Sequence, residues 1–409
     1  EPLSSLCLIG EMMAQNELKR SKKGARKKTR RKKRKDKQSQ LNMSDAARLY
    51  RVILRHIQDR LPELRGEHQL TLAMMVTGIL RARSGQLKKI ARGVQYDRKK
   101  ESLVERFRRF VRNKQIQVEV EYAPFGQRIL KAVGQGPLVL LFDSSQLGGK
   151  CLCLMLSVSY KSRAVPLAWV TFKGKKGHSA QETQLALFEQ VKGLLPPDLP
   201  VVLLGDGEFD GSEVVDWFNQ QPPWQYVCRT DKSNKVFYQG QWQNLAQLPL
   251  RAGEETFLSQ VRFTESNNIG PVNILVVWHE AKQCHWFFVT NLQTAEAAQD
   301  YYLLRFSIET LFSDLKDRGF HLDDTRLWHP ERLHRLIFAA AIAYLFTVVL
   351  GVEAIISRAF EKLVRTDAFY HSLFQLGLIY LDHLLNECLV FPSLIDLPPP
   401  EAFDHVVLC

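Results

Sequence analysis

Apolar residues recur at helical spacing in the first third of the chain. The first predicted helix presents one apolar face, formed by Leu49, Val52, Ile53 and Ile57. Ser44 stands before this face, and a serine in that place is typical of a helix N-cap. The same periodicity predicts further helices over 70–80, 87–94 and 101–114.

The helix predicted over 101–114 has two different faces. Leu103, Phe107 and Phe110 fall inward, and basic residues lie largely outward, among them Arg106, Arg109 and Arg112. A face so dense in arginine is typical of a helix that contacts DNA phosphates. A solvated basic helix would show the same pattern, because arginine is a good helix former. Both interpretations are open at this point.

The pattern changes near Gly136 from helical periodicity to short apolar runs. Strands are predicted over 137–143, 151–160, 165–172 and 200–206, with an amphipathic helix over 180–195 before the last of them. Two of these runs are fully apolar and end on an acid, Asp143 and Asp206. The order β-β-β-α-β indicates an α/β sheet covered by helices.

A second kind of strand pattern occupies residues 231–298. Alternating strands are predicted over 235–242, 257–263, 272–278 and 286–292, separated by turns that contain Gly and Asn. We interpret this segment as a mostly β insertion. Helical periodicity returns near Thr294 and continues to Glu387, and the tail after Phe391 is rich in proline.

One stretch, Leu336 to Val352, is apolar enough to resemble a membrane span, at about the shortest length that could cross a bilayer. A fully buried core helix is the better interpretation, because the chain on both sides is amphipathic and no second span accompanies it. We therefore expect no membrane association.

Charge is unevenly distributed along the chain. The net charge is +13, but residues 1–37 alone carry a net +10 from the basic run 19–37. This run has no apolar periodicity and is expected to be disordered. It could hold nucleic acid by phosphate attraction, or it could be a stretch outside the native protein, and we weigh the two equally. The seven cysteines are scattered without a C-x2-C pair, which fits a reduced cytosolic compartment and indicates neither disulfides nor zinc.

The two strand-end acids are candidate metal ligands. Adjacent parallel strands would bring Asp143 and Asp206 within a few ångströms, where both ionise comfortably only beside a cation. Aspartates at strand ends are also common as helix N-caps, so this pair alone does not decide the function.

A third group of polar residues lies in the helix predicted over 301–319. Tyr302, Arg305, Glu309 and Lys316 fall within roughly a 60° arc of one continuous helix. The core face is instead formed by Leu304, Ile308, Leu311, Phe312 and Leu315. An Arg305–Glu309 ion pair is expected at this spacing, but it accounts for neither the tyrosine nor the lysine.

This Y-x2-R-x3-E-x6-K spacing resembles the Y-R-E-K signature of bacterial insertion-sequence transposases of the DDE type, and the layout is similar over roughly residues 44–385. The resemblance implies a ribonuclease-H-like catalytic core, with a mixed sheet flanked by helices and a β-rich insertion. It implies that Asp143, Asp206 and Glu309 are catalytic and bind metal, and that Tyr302, Arg305 and Lys316 contact transposon-end phosphates. Glu208 and Asp210 compete with Asp206 for its assignment.

The implied activity is cut-and-paste transposition, with cleavage at transposon ends and strand transfer into target DNA. The expected cofactor is Mg2+, for which Mn2+ can substitute. The expected partners are double-stranded DNA, as terminal inverted repeats and target, and a second copy of the chain that contacts the first through residues 355–388. The expected location is the bacterial cytoplasm, on the nucleoid. A hairpin intermediate would need an aromatic side chain for a displaced base, and Trp286 is our choice, although strand tryptophans are more often core residues.

Composition, periodicity and the resemblance together divide the chain. They predict a disordered basic extension over 1–42, a helical DNA-binding region over 43–125, the catalytic domain over 126–345 with its insertion at about 231–298, and a C-terminal helical region over 346–409. Two alternatives stay open. One is a different ribonuclease-H-like nuclease, which does not need the Tyr/Arg/Lys stripe. The other is an inactive transposase-derived DNA-binding protein.

Overall fold

The computed structural model describes residues 44–133, 136–174, 176–177, 179–365, 371–392 and 396–403. The basic extension predicted over 1–42 lies outside these residues.

Five helices form the N-terminal region: α1 Asp45–Arg60, α2 Gly66–Ala82, α3 Leu87–Arg92, α4 Lys100–Arg112 and α5 Val118–Val133. The four predicted helices are confirmed. The hydroxyl oxygen of Ser44 accepts a hydrogen bond from the Ala47 N–H at 3.4 Å, as expected for an N-cap. The fifth helix, α5, is not predicted by the apolar pattern.

The central sheet begins with five strands and two helices: β1 Leu138–Gln146, β2 Cys151–Tyr160, β3 Arg163–Lys173, α6 Gln181–Lys192, β4 Val201–Gly205, α7 Ser212–Asn219 and β5 Trp224–Thr230. Their order in the sheet is β3-β2-β1-β4-β5. Strands β1, β2 and β3 pair antiparallel, whereas β1, β4 and β5 pair parallel. This arrangement confirms the predicted ribonuclease-H-like mixed sheet.

The β-rich segment extends the same sheet. Its strands are β6 Lys235–Tyr238, β7 Gln241–Asn244, β8 Thr256–Phe263, β9 Ile269–His279 and β10 Cys284–Thr290. They continue the order from β5 as β10-β9-β8-β6-β7. The single strand predicted over 235–242 is wrong: the chain turns back there, at Gln239 and Gly240, which both have positive φ.

The C-terminal part is helical, with α8 Ala295–Leu304, α9 Phe306–Leu315, α10 Pro330–Ile356, α11 Phe360–Leu363 and α12 Leu373–Asn386. Within the described residues, α10 is the one helix long and apolar enough to cross a membrane. Of its most apolar window, 94% is buried inside the fold. The helix packs against α12, α2 and β3, so the core-helix interpretation of Leu336 to Val352 is the one the structure supports.

Candidate active site

Two aspartates meet at one edge of the sheet. The pairing of β1 with β4 ends where Phe142 lies opposite Gly205, so the next residues are Asp143, on β1, and Asp206, directly after β4. The prediction that β1 ends at Asp143 is wrong, because β1 continues to Gln146 beside β2. Ser144 and Ser145 are buried in this extension and find polar partners there, which offsets the cost of burying their hydroxyls.

The environment of Asp143 is unfavourable for its negative charge. Its side chain is 3% exposed, and burial raises its pKa to about 6. The Nζ of Lys176 lies 3.7 Å from the Oδ1 of Asp143, and its positive charge lowers the pKa of Asp143. The neighbouring negative charge of Asp206 raises that pKa. A cation held between the two carboxylates would favour the charged form of both.

The two acids that compete with Asp206 have other roles. Glu208 accepts hydrogen bonds from the Ser144 hydroxyl at 2.8 Å and from the Ser179 N–H at 2.8 Å. Asp210 accepts from the Thr230 hydroxyl at 2.6 Å and from Asn234. Both carboxylates hold loops in place, and Asp206 is the acid of this segment whose charge raises the pKa of Asp143.

The helix predicted over 301–319 is interrupted, so the continuous 60° arc is wrong. α8 ends at Leu304 and α9 begins at Phe306, with Arg305 between them. At the break the Ser307 hydroxyl donates to the Leu304 carbonyl at 2.7 Å, and the Ile308 N–H donates to the Arg305 carbonyl at 3.1 Å. The second bond joins residues three positions apart, so the backbone forms a tighter turn here than in a regular α-helix.

Tyr302 and Arg305 stay next to each other despite the break. Tyr302 is buried against the ring of Phe288, with centroids 4.5 Å apart, and burial raises its pKa to about 12. The buried guanidinium of Arg305 lies 5.5 Å from the Tyr302 ring and forms an ion pair with Glu309. It also lowers the pKa of Asp143, which places it close to the aspartate pair.

Lys316 reaches the site by a different route from the predicted helical stripe. It follows α9 with a non-helical backbone (φ −100°, ψ −120°), and its ammonium donates to the Ser145 hydroxyl. Burial lowers its pKa, as does the nearby charge of Lys176. Three further residues of the site are not predicted by the sequence pattern: Lys176, Ser144 and Ser145. The sequence signal for Lys176 is its position between glycines, in FKGKKG over 172–177.

The predicted trio of metal ligands is not assembled. Within the described residues, no group of three His, Cys, Asp or Glu side chains lies close enough to hold an ion. Glu309 is 52% exposed and pairs with Arg305. Asp143 and Asp206 fit a divalent cation, because they offer the oxygen ligands that Mg2+ prefers and the charge of one opposes ionisation of the other. The role of Glu309 as a third ligand stays a prediction.

A buried ion pair lies beneath the same helix. Asp314 of α9 is 3% exposed, and its Oδ2 lies 3.6 Å from Arg163 of β3. Burial raises the pKa of Asp314 to about 7, although Arg163 and Arg318 lower it. Within the described part of the chain, Oδ2 accepts no hydrogen bond, so the ionised carboxylate is poorly solvated there.

The raised pKa predicts a pH-dependent stability. The folded protein binds the Asp314 proton more tightly than the unfolded chain, so this stabilisation is complete below about pH 4 and is lost as the pH rises towards 7. Between pH 5 and 8 we expect the free energy of unfolding of the wild type to fall by about 2–3 kcal/mol relative to Asp314→Asn. Urea unfolding of both proteins at several pH values measures this. Asp317→Asn, at an exposed neighbour, should follow the wild type, and a constant difference between wild type and Asp314→Asn would contradict the prediction.

Trp286, our choice for receiving a displaced base, lies in β10 and is covered. The guanidinium of Arg229 lies 4.4 Å and the ammonium of Lys282 5.1 Å from its ring, and the His279 ring lies 4.0 Å away. Its indole N–H is buried without a hydrogen-bond partner among the described residues. Its role stays a prediction, and it requires these neighbours to move.

The arginines predicted on α4 differ in their surroundings. Arg106 donates from Nε to the Thr71 hydroxyl at 2.7 Å and from a terminal nitrogen to the Glu67 carbonyl at 3.2 Å. Its guanidinium therefore fastens α4 to α2, and the expected outward orientation is wrong for this residue. Arg109 and Arg112 are exposed, as predicted, and Arg112 lines a basic cavity.

Comparison with known proteins gives one family. Residues 153–346 match the family model described as "Transposase DDE domain", a span that includes Asp206 and Glu309 and begins after Asp143. No curated protein matches the chain. Among solved structures, the fold is similar to one titled "Cryo-EM structure of piggyBac transposase synaptic complex with hairpin DNA (SNHP)". The two chains are 10% identical, the match covers 85% of this chain and 80% of that one, and the TM-score is 0.41.

Proposed function

We propose that the chain, whose residues 153–346 match the family model of a transposase DDE domain, cuts DNA at transposon ends and joins those ends to target DNA. The family match confirms the resemblance to DDE transposases. The Y-R-E-K subtype, a bacterial origin and the cut-and-paste route belong to the proposal. The observation that carries it is the buried Asp143 beside Asp206, with Lys176, Lys316 and Arg305 around them.

In this proposal Asp143 and Asp206 hold Mg2+, or Mn2+ in its place, and Glu309 completes the site. A cation held by these residues would supply activation of water or of a DNA 3′-hydroxyl and stabilisation of the leaving oxygen. The three carboxylates differ in how close they already are to this arrangement. The two aspartates already face each other, whereas Glu309 must first leave Arg305.

Arg305 can link DNA binding to this rearrangement. A guanidinium binds a phosphate through two parallel N–H bonds as well as it binds a carboxylate. A DNA phosphate that takes the place of Glu309 on Arg305 would therefore release the glutamate towards the aspartates. Lys316, held by Ser145, supplies a second positive charge for the same backbone. Tyr302 supports the Arg305 guanidinium from below, as a buried ring.

The assembly and location remain part of the proposal. Excision of a segment with two ends favours a homodimer on DNA, with residues 355–388 as the contact. The apolar side of α12 already packs against α10 of its own chain, so a contact there would use the opposite side. A bacterial cytoplasmic protein on the nucleoid fits this activity.

The test is cleavage of a linear DNA that carries the gene's own flanking ends. We expect cuts at the ends in Mg2+ or Mn2+, and no cuts in EDTA, because the aspartate pair would have no cation to share. Cleavage without regard to the ends would favour another ribonuclease-H-like nuclease. Folded protein that binds the ends but never cuts them would favour an inactive descendant, and either result would overturn the proposal.

A further inference from the structure

A cavity of about 510 Å3 lies between helices α3 and α4 and the segment that leads into α10. Two walls come from the N-terminal helical region, and the third comes from residues 325–332. We name it the cationic cavity after the lysines and arginines that line it beside Arg108: Lys88, Lys89, Arg92, Arg112, Arg326 and Arg332.

Most of these charges have no salt-bridge partner among the residues that the structure describes. No Asp or Glu is among the described residues that line the cavity. Of its basic residues, Arg108 forms a salt bridge, to Glu105 at 3.2 Å, and the other six form none within the described part of the chain. Leu87, Val104, Val111 and Leu327 form an apolar lining between the charges. Because an apolar wall lowers the local dielectric constant, the attraction for an anion is stronger here than on an open surface.

The third wall is held in place by close backbone contacts. A Cβ at Gly85 would lie 2.9 Å from the Leu322 Cα, and a Cβ at Gly149 would lie 2.4 Å from the Leu327 carbonyl oxygen. The segment is therefore clamped between the N-terminal helices and the turn that follows β1, the strand of Asp143. A binding site with fixed walls loses little conformational entropy when it is occupied.

We propose that the cationic cavity binds backbone phosphates of the DNA that flanks the cleaved end. The inference rests on the proposed function in taking DNA as the substrate, and it assigns the phosphate contact to residues outside the Asp143 site. Trp328 favours a DNA strand as the occupant. It follows a residue of the cavity wall and is 60% exposed, so a base can stack on it beside the phosphates.

The test measures binding of fluorescent duplex DNA, carrying the native ends, by anisotropy at several salt concentrations without divalent metal. The variant Arg92→Gln/Arg326→Gln removes one charge from each of two facing walls. Each lost phosphate contact lowers the slope of log affinity against log salt by about 0.9. We expect a slope reduced by about 2, and affinity at least about 10-fold lower at 0.15 M salt.

The matched control is Arg51→Gln/Arg55→Gln, which removes two exposed charges of α1 that do not line the cavity. It should keep a wild-type slope. Equal binding by the cavity variant and the wild type would overturn the inference while leaving the proposed function intact. Weaker binding of pyrophosphate with unchanged DNA binding would also overturn it, in favour of a small anion. A folded wild type that binds no DNA would instead remove the proposed function itself.

Discussion

Glu309→Gln is expected to lower the rate of DNA end cleavage at least about 1,000-fold while leaving the fold and DNA binding in place. Glutamine has the shape of glutamate without its charge, so it is a poor ligand for Mg2+. The stabilisation that a metal site gives to the transition state is several kcal/mol, and each 1.36 kcal/mol changes the rate about tenfold. The side chain is 52% exposed, so the replacement disturbs no buried packing.

The matched control for this prediction is Glu296→Gln, an exposed glutamate on the neighbouring helix α8. It should cleave at the wild-type rate. The measurement is single-turnover cleavage of the flanking ends in Mg2+, with thermal melting of each protein as a check on folding. If Glu309→Gln cut DNA as fast as Glu296→Gln, the ion pair with Arg305 would be the whole role of Glu309.

The first four strands of the sheet could be predicted because they have a strong local signal. The runs that end at Asp143 and Asp206 are apolar at nearly every position, as expected for strands covered on both faces. Their acids then meet because β1 and β4 pair in parallel and in register. The continuation of β1 to Gln146 could not be predicted, because the serines that follow Asp143 have the sequence character of a loop although they are buried in the strand.

Other features depend on contacts that periodicity does not record. The break at Arg305 lies where the Ser307 hydroxyl donates to the Leu304 carbonyl, in a segment whose helical pattern continues. Lys316 bonds Ser145, which is 171 positions away. Helix α5 was hidden for the opposite reason: Val118, Val120 and Tyr122 alternate with polar residues, as in a strand.

The arrangement of the basic residues also could not be predicted from their order along the chain. The sequence offered Arg106, Arg109 and Arg112 as one outward row on a single helix. In the structure Arg106 bonds α2, and Arg112 joins charges from residues near 88–92 and 326–332 around a cavity. Charge counts along the chain do not find such a site, because its walls are separated by more than two hundred positions in sequence.

The crossing of α10 and α12 gives the largest expected effect on stability. Two glycines let these core helices touch backbone to backbone. A Cβ at Gly377 would lie 1.8 Å from the Thr347 carbonyl oxygen, and one at Gly351 would lie 2.0 Å from the Leu373 carbonyl oxygen. Both contacts are with backbone, so no side chain can rotate away to make room. An added methyl group must push the helices apart along their buried interface.

We expect Gly377→Ala to lower the free energy of unfolding by about 3 kcal/mol or more, at the upper end of the usual cost of overpacking a core. Urea denaturation followed by circular dichroism measures the change. Gly66→Ala is the matched control, because nothing lies within 4 Å of a Cβ at Gly66, in the first turn of α2. There the helix preference of alanine should leave stability equal or slightly higher. An unfolding midpoint for Gly377→Ala equal to that of Gly66→Ala would show that α12 is not packed this closely on α10.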